Sequence, residues 1–388
     1  MAPQQALVNL SPAELSFLRS TLSQTPPIRL DVTKGPRDFR SMRAEYDVLP
    51  TANGSARIAL EDGTEALVGV KAEVERSRQR PTLGEHGADV DMGDGDGDGD
   101  GDEVADDSKG KGQNAWVEMS VEVPGFRDDD ALPVFLASML TESLLASGEL
   151  KDRLYINTRF HWKLYVDVRP PSAYRVLKPQ SLTKNCQILL LSPPLSYPLA
   201  LLSMTTHLAL LTTHLPALKS EKDEDPLFDD DWDAAVPLYP KHAGTHKTAP
   251  QIGKPPVIIL AMAVGDNIIF DPAKEELAVA DAVLAVACTN STTSSTGARI
   301  VSIRTIDPPS HLTAPGVPNL MNSATGGTVP TSSADALTQR ELLATSGVWT
   351  PPRGGMKRGL ISHVTNMVVE NGGVAEEVIG ALAAIEVG

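Results

Sequence analysis

Residues 55–73 read SARIALEDGTEALVGVKAE, a pattern that predicts two strands joined by a tight turn. The turn is supplied by Glu61-Asp62-Gly63-Thr64, and an Asp-Gly pair between two apolar runs is a strong hairpin signal. In the second strand Ala66, Val68, Val70 and Ala72 recur at every second position, so they share one face. The folded part of the chain is therefore expected to contain a β-hairpin with one buried face.

The same signals extend outward from this hairpin. Further strands are predicted at 116–123, 162–168, 257–263, 267–270 and 299–306, the third and fourth forming a hairpin around Gly265-Asp266. Helices are predicted after the capping box Ser11-Pro12-Ala13-Glu14, after Asp128-Asp129-Asp130, and at 195–218, 337–345 and 374–385. Residues 277–287 fit a helix or a strand equally well. Strands followed by a helix, twice over, indicate an α+β chain of two similar halves, divided near 219–255.

The net negative charge of the chain is concentrated in two segments. The net charge is −16, yet 84–108 alone carries 11 acidic and no basic residues, and 221–233 carries eight acidic residues and one lysine. These segments together hold −18, so the remainder is slightly positive. An RNA-facing surface on that remainder is compatible with the composition.

Composition also bounds the class of protein. No apolar run is long enough to predict a membrane span, and the first residues lack the pattern of a secretory signal. Cys186 and Cys288, the two cysteines, make neither a disulfide framework nor a zinc cluster, which fits a reducing compartment. Hydrolase, nucleotide-binding and zinc-protease motifs are missing from the sequence as well, so no cofactor or metal is expected, and the residues alone leave the function of the chain open.

A Gly-Asp repeat at 93–102 has two interpretations. Asp96, Asp98, Asp100 and Gly101, with Asp107 in the twelfth place, nearly spell a calcium-binding EF-hand loop. The sequence around the repeat lacks flanking amphipathic helices, and the loop closes with Asp instead of Glu. A solvated, disordered acidic loop is the favoured interpretation.

Two histidines and several arginines each have more than one possible role. His207 and His214 stand seven apart in the predicted helix 195–218, so they could share a face as a weak metal pair or serve in packing. Arg37, Arg40 and Arg43 recur every third position and could line an RNA path, pair with carboxylates in a subunit contact, or form a solvated face. With Arg127, they are the candidate RNA-facing residues. Arg76, Arg78 and Arg80 precede the acidic repeat and could simply neutralise it.

Several motifs resemble one known family. They are Ile28-Arg29-Leu30-Asp31, Gly35-Pro36-Arg37-Asp38-Phe39-Arg40, Asn53-Gly54-Ser55-Ala56-Arg57, Leu67-Val68-Gly69-Val70-Lys71-Ala72-Glu73, Leu164-Tyr165-Val166-Asp167, Leu195-Ser196-Tyr197-Pro198-Leu199, and Phe270-Asp271-Pro272 with Glu275-Glu276. In this order, over about 11–306, they resemble the RNase PH-like ring subunits of the RNA exosome.

The resemblance implies two packed RNase PH-type βαβα domains and a strand at 283–288. The expected division is an N-terminal helix and lead-in at 1–27, domain 1 at 28–218 with an acidic insert at 84–112, an acidic linker at 219–254, and domain 2 at 255–388. The implied function is a structural subunit of a six-membered ring that guides single-stranded RNA toward 3′–5′ degradation, in ribosomal RNA maturation and RNA decay. The implied partners are an obligate RNase PH-like ring neighbour, cap RNA-binding subunits and an associated exoribonuclease, in nucleus, nucleolus and cytoplasm.

The sequence departs from catalytic members of this family. Those members hold inorganic phosphate in a Gly-Gly-Thr-Arg type turn, whereas this chain has Ser192-Pro193-Pro194-Leu195-Ser196-Tyr197 in that region. Two prolines remove two N–H donors, and the turn contains neither glycine nor arginine. The family's Asp-Gly-Arg near the start is also replaced, by Asp31-Val32-Thr33-Lys34. The resemblance therefore implies a protein that is not an enzyme.

A basic segment at 169–187 interrupts the family pattern between Leu164-Tyr165-Val166-Asp167 and the apolar run that begins at Ile188. It holds four basic and no acidic residues. Since a valine codon begins with GT and a glutamine codon can be CAG, Val168 and Gln187 could mark the ends of a retained intron. The alternative is a genuine surface insertion, which long loops tolerate at small entropic cost.

Overall fold

A computed structural model of the chain describes residues 10–77, 112–127, 129–167, 188–190, 197–220, 224–240, 253–290, 297–316, 348–352 and 354–386. The predicted helix 337–345, the Gly-Asp repeat, the segment 169–187 and most of the Ser192–Tyr197 turn lie outside these residues. None of the helices in the described ranges is long and apolar enough to cross a bilayer.

The first sheet is built on the predicted hairpin. It contains β1 (Met42–Tyr46), β2 (Gly54–Leu60), β3 (Glu65–Arg76), β4 (Val117–Met119), β5 (Val121–Glu122), β6 (Phe160–Asp167) and β7 (Ile188–Leu190). The main order is β1-β2-β3-β6-β4, with β7 against β3 and β5. Gly63 takes a φ of +81° in the turn between β2 and β3, a conformation that glycine adopts without strain. The hairpin prediction is therefore confirmed.

The second sheet contains four antiparallel strands in the order β11-β10-β12-β13. They are β10 (Val257–Val264), β11 (Asn267–Phe270), β12 (Ala282–Asn290) and β13 (Ala298–Ile306). Gly265, with a φ of +62°, turns β10 into β11 as the sequence predicts. The ambiguous stretch 277–287 ends a short helix and then becomes β12, which confirms the strand that the family resemblance implies.

Helices pack against both sheets. The chain forms α1 (Pro12–Leu22), α2 (Ala131–Leu145), α3 (Glu149–Arg153), α4 (Leu199–Leu211), α5 (Lys274–Leu277), α6 (Arg358–Val369) and α7 (Val374–Glu386). Every residue of α4 is buried, and this helix packs on β2 and β3 of the first sheet and on β10 of the second. The two halves consequently share one continuous hydrophobic core. The α+β class is confirmed.

The N-terminal helix packs on the second half. Ser11 and Glu14 form the predicted capping box, and Leu15, Leu18 and Leu22 are buried. Arg19 reaches Asp281 at 2.7 Å, and the Asn267 side chain donates to the backbone oxygen of Leu22 at 2.8 Å. These contacts connect the start of the chain to residues about 250 positions later.

Three elements differ from the sequence predictions. The helix expected at 195–218 is shorter, because after Leu211 the chain turns into β8 (His214–Leu215), which pairs with β9 (Val236–Pro237). The strand expected at 116–123 is divided between a 3₁₀ turn, β4 and β5. Helix α6 was not predicted, since Gly359 and its β-branched residues weaken the helical signal. The predicted helix 374–385 is confirmed as α7.

The expected acidic linker is partly packed structure. The longest described part of this linker, 224–240, includes β9 and the buried side chains Leu238 and Tyr239. Arg153 donates to the backbone oxygen of Leu238 at 2.8 Å, and its guanidinium lies 4.6 Å from the Tyr239 ring. The burial of these apolar side chains fixes this segment against the first half despite its high charge.

Candidate subunit and RNA interface

The motif around Arg29 connects the two halves of the molecule through hydrogen bonds. The Arg29 guanidinium donates to Glu276 through Nε at 3.1 Å and Nη2 at 2.9 Å, and both side chains are at least 95% buried. It also donates to the backbone oxygens of Gly35, Asp38, Phe270 and Asp271 at 2.9–3.3 Å. Two of the family-like motifs, far apart in sequence, therefore meet through one arginine.

Arg40, a candidate RNA-facing residue, has a second structural role. Its Nε donates to Asp271 at 2.8 Å and its Nη1 to Asp62 at 2.7 Å, and the side chain is largely buried. Burial alone would lower the pKa of Arg40, but the hydrogen bonds and charges of Asp271 and Asp62 raise it. The structure thus directs this guanidinium to two carboxylates of its own chain, whereas the sequence suggested carboxylates in a subunit contact.

The other three candidates lie on the surface. Arg37 is exposed and has no ion-pair partner among the residues that the structure describes. Arg43, in β1, is 83% exposed and pairs with Glu45 at 2.8 Å; Arg127, before α2, is 81% exposed and lies 3.4 Å from Asp129. Arg43 thus lies on β1 and Arg127 beside α2, with nothing in the structure joining them into one site. Their contact with RNA stays a prediction.

The region of the family's phosphate turn is described only from Tyr197 onward. Tyr197 is buried just before α4, and its hydroxyl has no hydrogen-bond partner among the described residues. Burial raises the pKa of this phenol, so it stays neutral. A neutral buried phenol next to the Pro193-Pro194 sequence adds no positive charge for holding phosphate.

The two histidines do not form a pair on one helix. His207 is fully buried in α4 with Nδ1 2.7 Å from the Pro255 oxygen, whereas His214 lies beyond the helix, in β8. The hypothesis of a shared helix face is therefore wrong, because α4 ends at Leu211. Across the described ranges, no group of three or more potential metal ligands is present.

Apolar side chains remain on the surface near the start of the chain. Ile28, Leu30 and Val32 recur at alternate positions of the segment before β1 and are 44%, 49% and 81% exposed. Phe17, on the outer face of α1, is also exposed. Within the described part of the first sheet, β1 and β4 pair on one side only. Exposed apolar groups and open strand edges are features that partner proteins cover.

The chain is similar in sequence to two curated proteins. It is 28% identical over 284 residues to "Exosome complex component RRP42" of Saccharomyces cerevisiae, which covers 73% of this chain and 83% of the relative. It is 27% identical over 292 residues to "Exosome complex component rrp42" of Schizosaccharomyces pombe, and this match covers 72% of this chain and 78% of the relative. No family model matches the chain.

Solved structures give a weaker likeness. An archaeal exosome core aligns over 76% of this chain and 87% of its own with a TM-score of 0.44 and 17% identity. An Archaeoglobus fulgidus exosome with RNA bound to the active site aligns over 75% of this chain and 86% of its own, with a TM-score of 0.45 and 18% identity. Rice Rrp46 aligns over 80% of this chain and 92% of its own, with a TM-score of 0.38 and 11% identity. The resemblance read from the motifs is confirmed by the sequence matches: over nearly three quarters of its length, this chain is similar to the exosome component RRP42.

Proposed function

We propose that this chain is a non-catalytic structural subunit of the RNA exosome ring, which helps to form a channel for single-stranded RNA. The observation that carries the proposal is the sequence similarity to two exosome components, which extends over more than 70% of the chain. The inter-half contacts of Arg29 and Arg40 support it, because they use residues of the family-like motifs to hold the two halves together.

The absence of phosphorolysis belongs to the same proposal. Phosphorolysis places inorganic phosphate against the terminal RNA linkage, where backbone N–H groups and an arginine must stabilise its charge. The sequence Ser192-Pro193-Pro194-Leu195-Ser196-Tyr197 provides two prolines and no arginine at that place. Since proline has no N–H group, the turn lacks two of the donors that could hold the anion, and no arginine replaces them.

The proposed partners follow from membership of such a ring. A neighbouring RNase PH-like subunit would cover exposed apolar surface, including Ile28, Leu30 and Val32. Cap RNA-binding subunits and an exoribonuclease would bind the assembled ring, and single-stranded RNA would pass through it. The proposed locations are nucleus, nucleolus and cytoplasm, with roles in ribosomal RNA maturation and RNA decay.

Co-expression tests the assembly half of the proposal. The chain is expressed alone and together with its RNase PH-like sister subunit, and both samples are analysed by size-exclusion chromatography with mass spectrometry. We expect aggregates or loose oligomers from the chain alone and a soluble heterodimer from the pair. A chain that is monodisperse alone and does not bind the sister subunit would contradict the proposal.

Incubation with RNA and inorganic phosphate tests the catalytic half. The purified heterodimer should release no nucleoside diphosphate through this chain. The opposing result is release of nucleoside diphosphate that is abolished by substitutions in this chain and unaffected by substitutions in its partner. That result would identify an active phosphorolytic exoribonuclease.

A further inference from the structure

Two arginines meet over one aromatic ring at the end of the first sheet. The Arg76 Cζ atom, at the end of β3, lies 5.9 Å from the centroid of the Phe160 ring, and the Arg159 Cζ atom lies 5.7 Å from it. Together with Ser77 and Thr158 these residues line a surface cavity of about 280 Å³. From the sequence alone, Arg76 was expected only to neutralise the acidic repeat, and Arg159 was not singled out.

Strand pairing holds the cavity in shape. Arg76 lies opposite Phe160 in the β3–β6 register, and the Ser77 N–H donates to the Arg159 oxygen at 2.7 Å. The Asn157 side-chain oxygen accepts from the N–H groups of both Arg159 and Phe160, at 3.0 and 2.8 Å. The backbone of the site is therefore fixed before any ligand arrives, which reduces the entropy lost on binding.

The Ser77 side chain is held in place by a buried neighbour, His161. His161 is buried, stacks on Trp116 with centroids 4.4 Å apart, and has its Nδ1 atom 3.0 Å from the Ser77 hydroxyl. These contacts orient the Ser77 side chain at the edge of the cavity.

We propose that this cavity binds one nucleotide of single-stranded RNA, with the guanidiniums on the phosphate and the base against Phe160. Guanidinium groups match phosphate oxygens in geometry and charge, and aromatic rings provide the stacking platform that single-stranded nucleic acids use. The Ser77 and Thr158 hydroxyls supply neutral hydrogen-bonding groups beside them. The inference rests on the proposed function, because an RNA channel is the setting in which such a site is used.

The charges around the cavity favour this assignment. Arg76 forms no ion pair with any carboxylate in the described part of the chain. Arg159 does pair with Asp225 at 2.9 Å, but the two side chains are 54% and 81% exposed. An exposed ion pair of this kind is weak, so a phosphate can replace the carboxylate. An acidic protein segment would offer carboxylates to the arginines but no base to pack against the Phe160 ring.

Photo-crosslinking and salt-dependent affinity test the proposal. A short single-stranded RNA carrying thiouridine is irradiated with the full chain, in the heterodimer if that forms and alone if it does not. We expect crosslinked peptides that contain Ser77 or Phe160. Arg76→Gln and Arg159→Gln should each reduce the slope of log affinity against log salt, by about 0.7 for the two together, since the two guanidiniums share one phosphate. Phe160→Leu should weaken binding about fivefold or more without changing the slope.

Arg304→Gln is the matched control, because Arg304 is also an exposed arginine paired with a carboxylate, Glu142 at 2.6 Å, but on the other sheet. It should leave affinity and slope unchanged. Crosslinks that avoid these peptides, or slopes identical in all variants, would overturn the proposal, as would protection of the site by an acidic peptide but not by RNA. Assembly is scored separately by chromatography, so a chain that fails to join the ring contradicts the proposed function without affecting the crosslinking result.

Discussion

The guanidinium of Arg29 and the carboxylate of Glu276 form a buried two-point ion pair, although 247 positions separate them in the chain. The segment before β1 is thereby fixed to α5, which follows the second hairpin. Burial of two charges is tolerated here because the pair has good geometry and the remaining guanidinium hydrogens reach backbone oxygens. The pair is therefore one of the contacts that join the two halves of the molecule, beside the shared hydrophobic core.

Arg29→Met should destabilise the protein by about 3–5 kcal/mol, because it leaves the Glu276 carboxylate buried without a partner. The double variant Arg29→Met with Glu276→Leu should recover much of that loss. Free energies of unfolding are obtained from urea titrations followed by tryptophan fluorescence. Removing the exposed Arg304–Glu142 pair in the same way should cost at most about 1 kcal/mol. Equal effects at the two sites would contradict a special role for the buried pair.

Local signals predicted the parts of this fold that depend on a few neighbouring residues. The capping box at Ser11 and the turn at Gly265 were predicted correctly, since both are decided within four or five positions. The pairing of Arg29 with Glu276 follows from no spacing rule and was not predicted, although both residues lie in motifs that resemble the family. Sequence also could not place Arg159 beside Arg76, because the β3–β6 register that joins them spans a long insertion.

The end of α4 was predicted wrongly for a comparable reason. The apolar run continues past Leu211, but the His214 N–H donates to the Asn53 oxygen at 2.9 Å and the Leu238 N–H donates to the Thr213 oxygen at 2.8 Å. These bonds to distant segments replace the helical ones. Tertiary contacts of this kind override helical periodicity.

Gly54→Ala should be strongly destabilising. A Cβ atom at Gly54 would lie 2.5 Å from Thr213 Oγ1 and 2.6 Å from the Thr213 backbone nitrogen, so β2 and the chain after α4 would have to separate. We expect a loss of about 1–3 kcal/mol, measured by urea unfolding. Gly380→Ala is the control, because a Cβ there meets no atom and lies in α7; it should stabilise by about 0.5–1 kcal/mol. A neutral Gly54→Ala would show that this close approach is absent.

Replacing 85–108 by a short Gly-Ser linker should leave folding and assembly intact. The segment carries 11 acidic residues and offers no apolar face for a core. The melting temperature and the yield of heterodimer are compared with those of the full chain. A melting temperature that rises by several degrees with calcium, and loses that rise after the replacement, would instead favour the calcium-binding interpretation.

The mature transcript should lack the codons for 168–187. Strand β6 ends at Asp167 and β7 begins at Ile188, and the codons expected at the two ends of the intervening segment match the ends of an intron. Sequencing of full-length messenger RNA tests this directly. A dominant message that still encodes Arg169 to Gln187 would exclude a retained intron and leave a genuine insertion.

Stability should fall as the pH is lowered from 7 toward 4, and His207 should account for part of the fall. Burial lowers the pKa of His207 from 6.5 to about 4, because its ring is enclosed in α4 and the nearby Lys254 also disfavours a positive charge. His207 therefore binds a proton near pH 6.5 in the unfolded chain but only near pH 4 in the folded protein. The neutral imidazole contributes its full stabilisation above pH 6.5, and this contribution, roughly 3 kcal/mol, is lost as the pH falls from 6.5 to about 4.

His207→Gln removes this titration while the amide can still donate to the Pro255 oxygen, the partner of Nδ1 at 2.7 Å. The free energy of unfolding of the variant should consequently depend less steeply on pH between about 6.5 and about 4. The same substitution at the exposed His363, on the surface of α6, should leave the slope as it is in the unaltered chain. Parallel pH profiles for the unaltered chain and His207→Gln would mean that the buried imidazole is not the group that couples folding to pH.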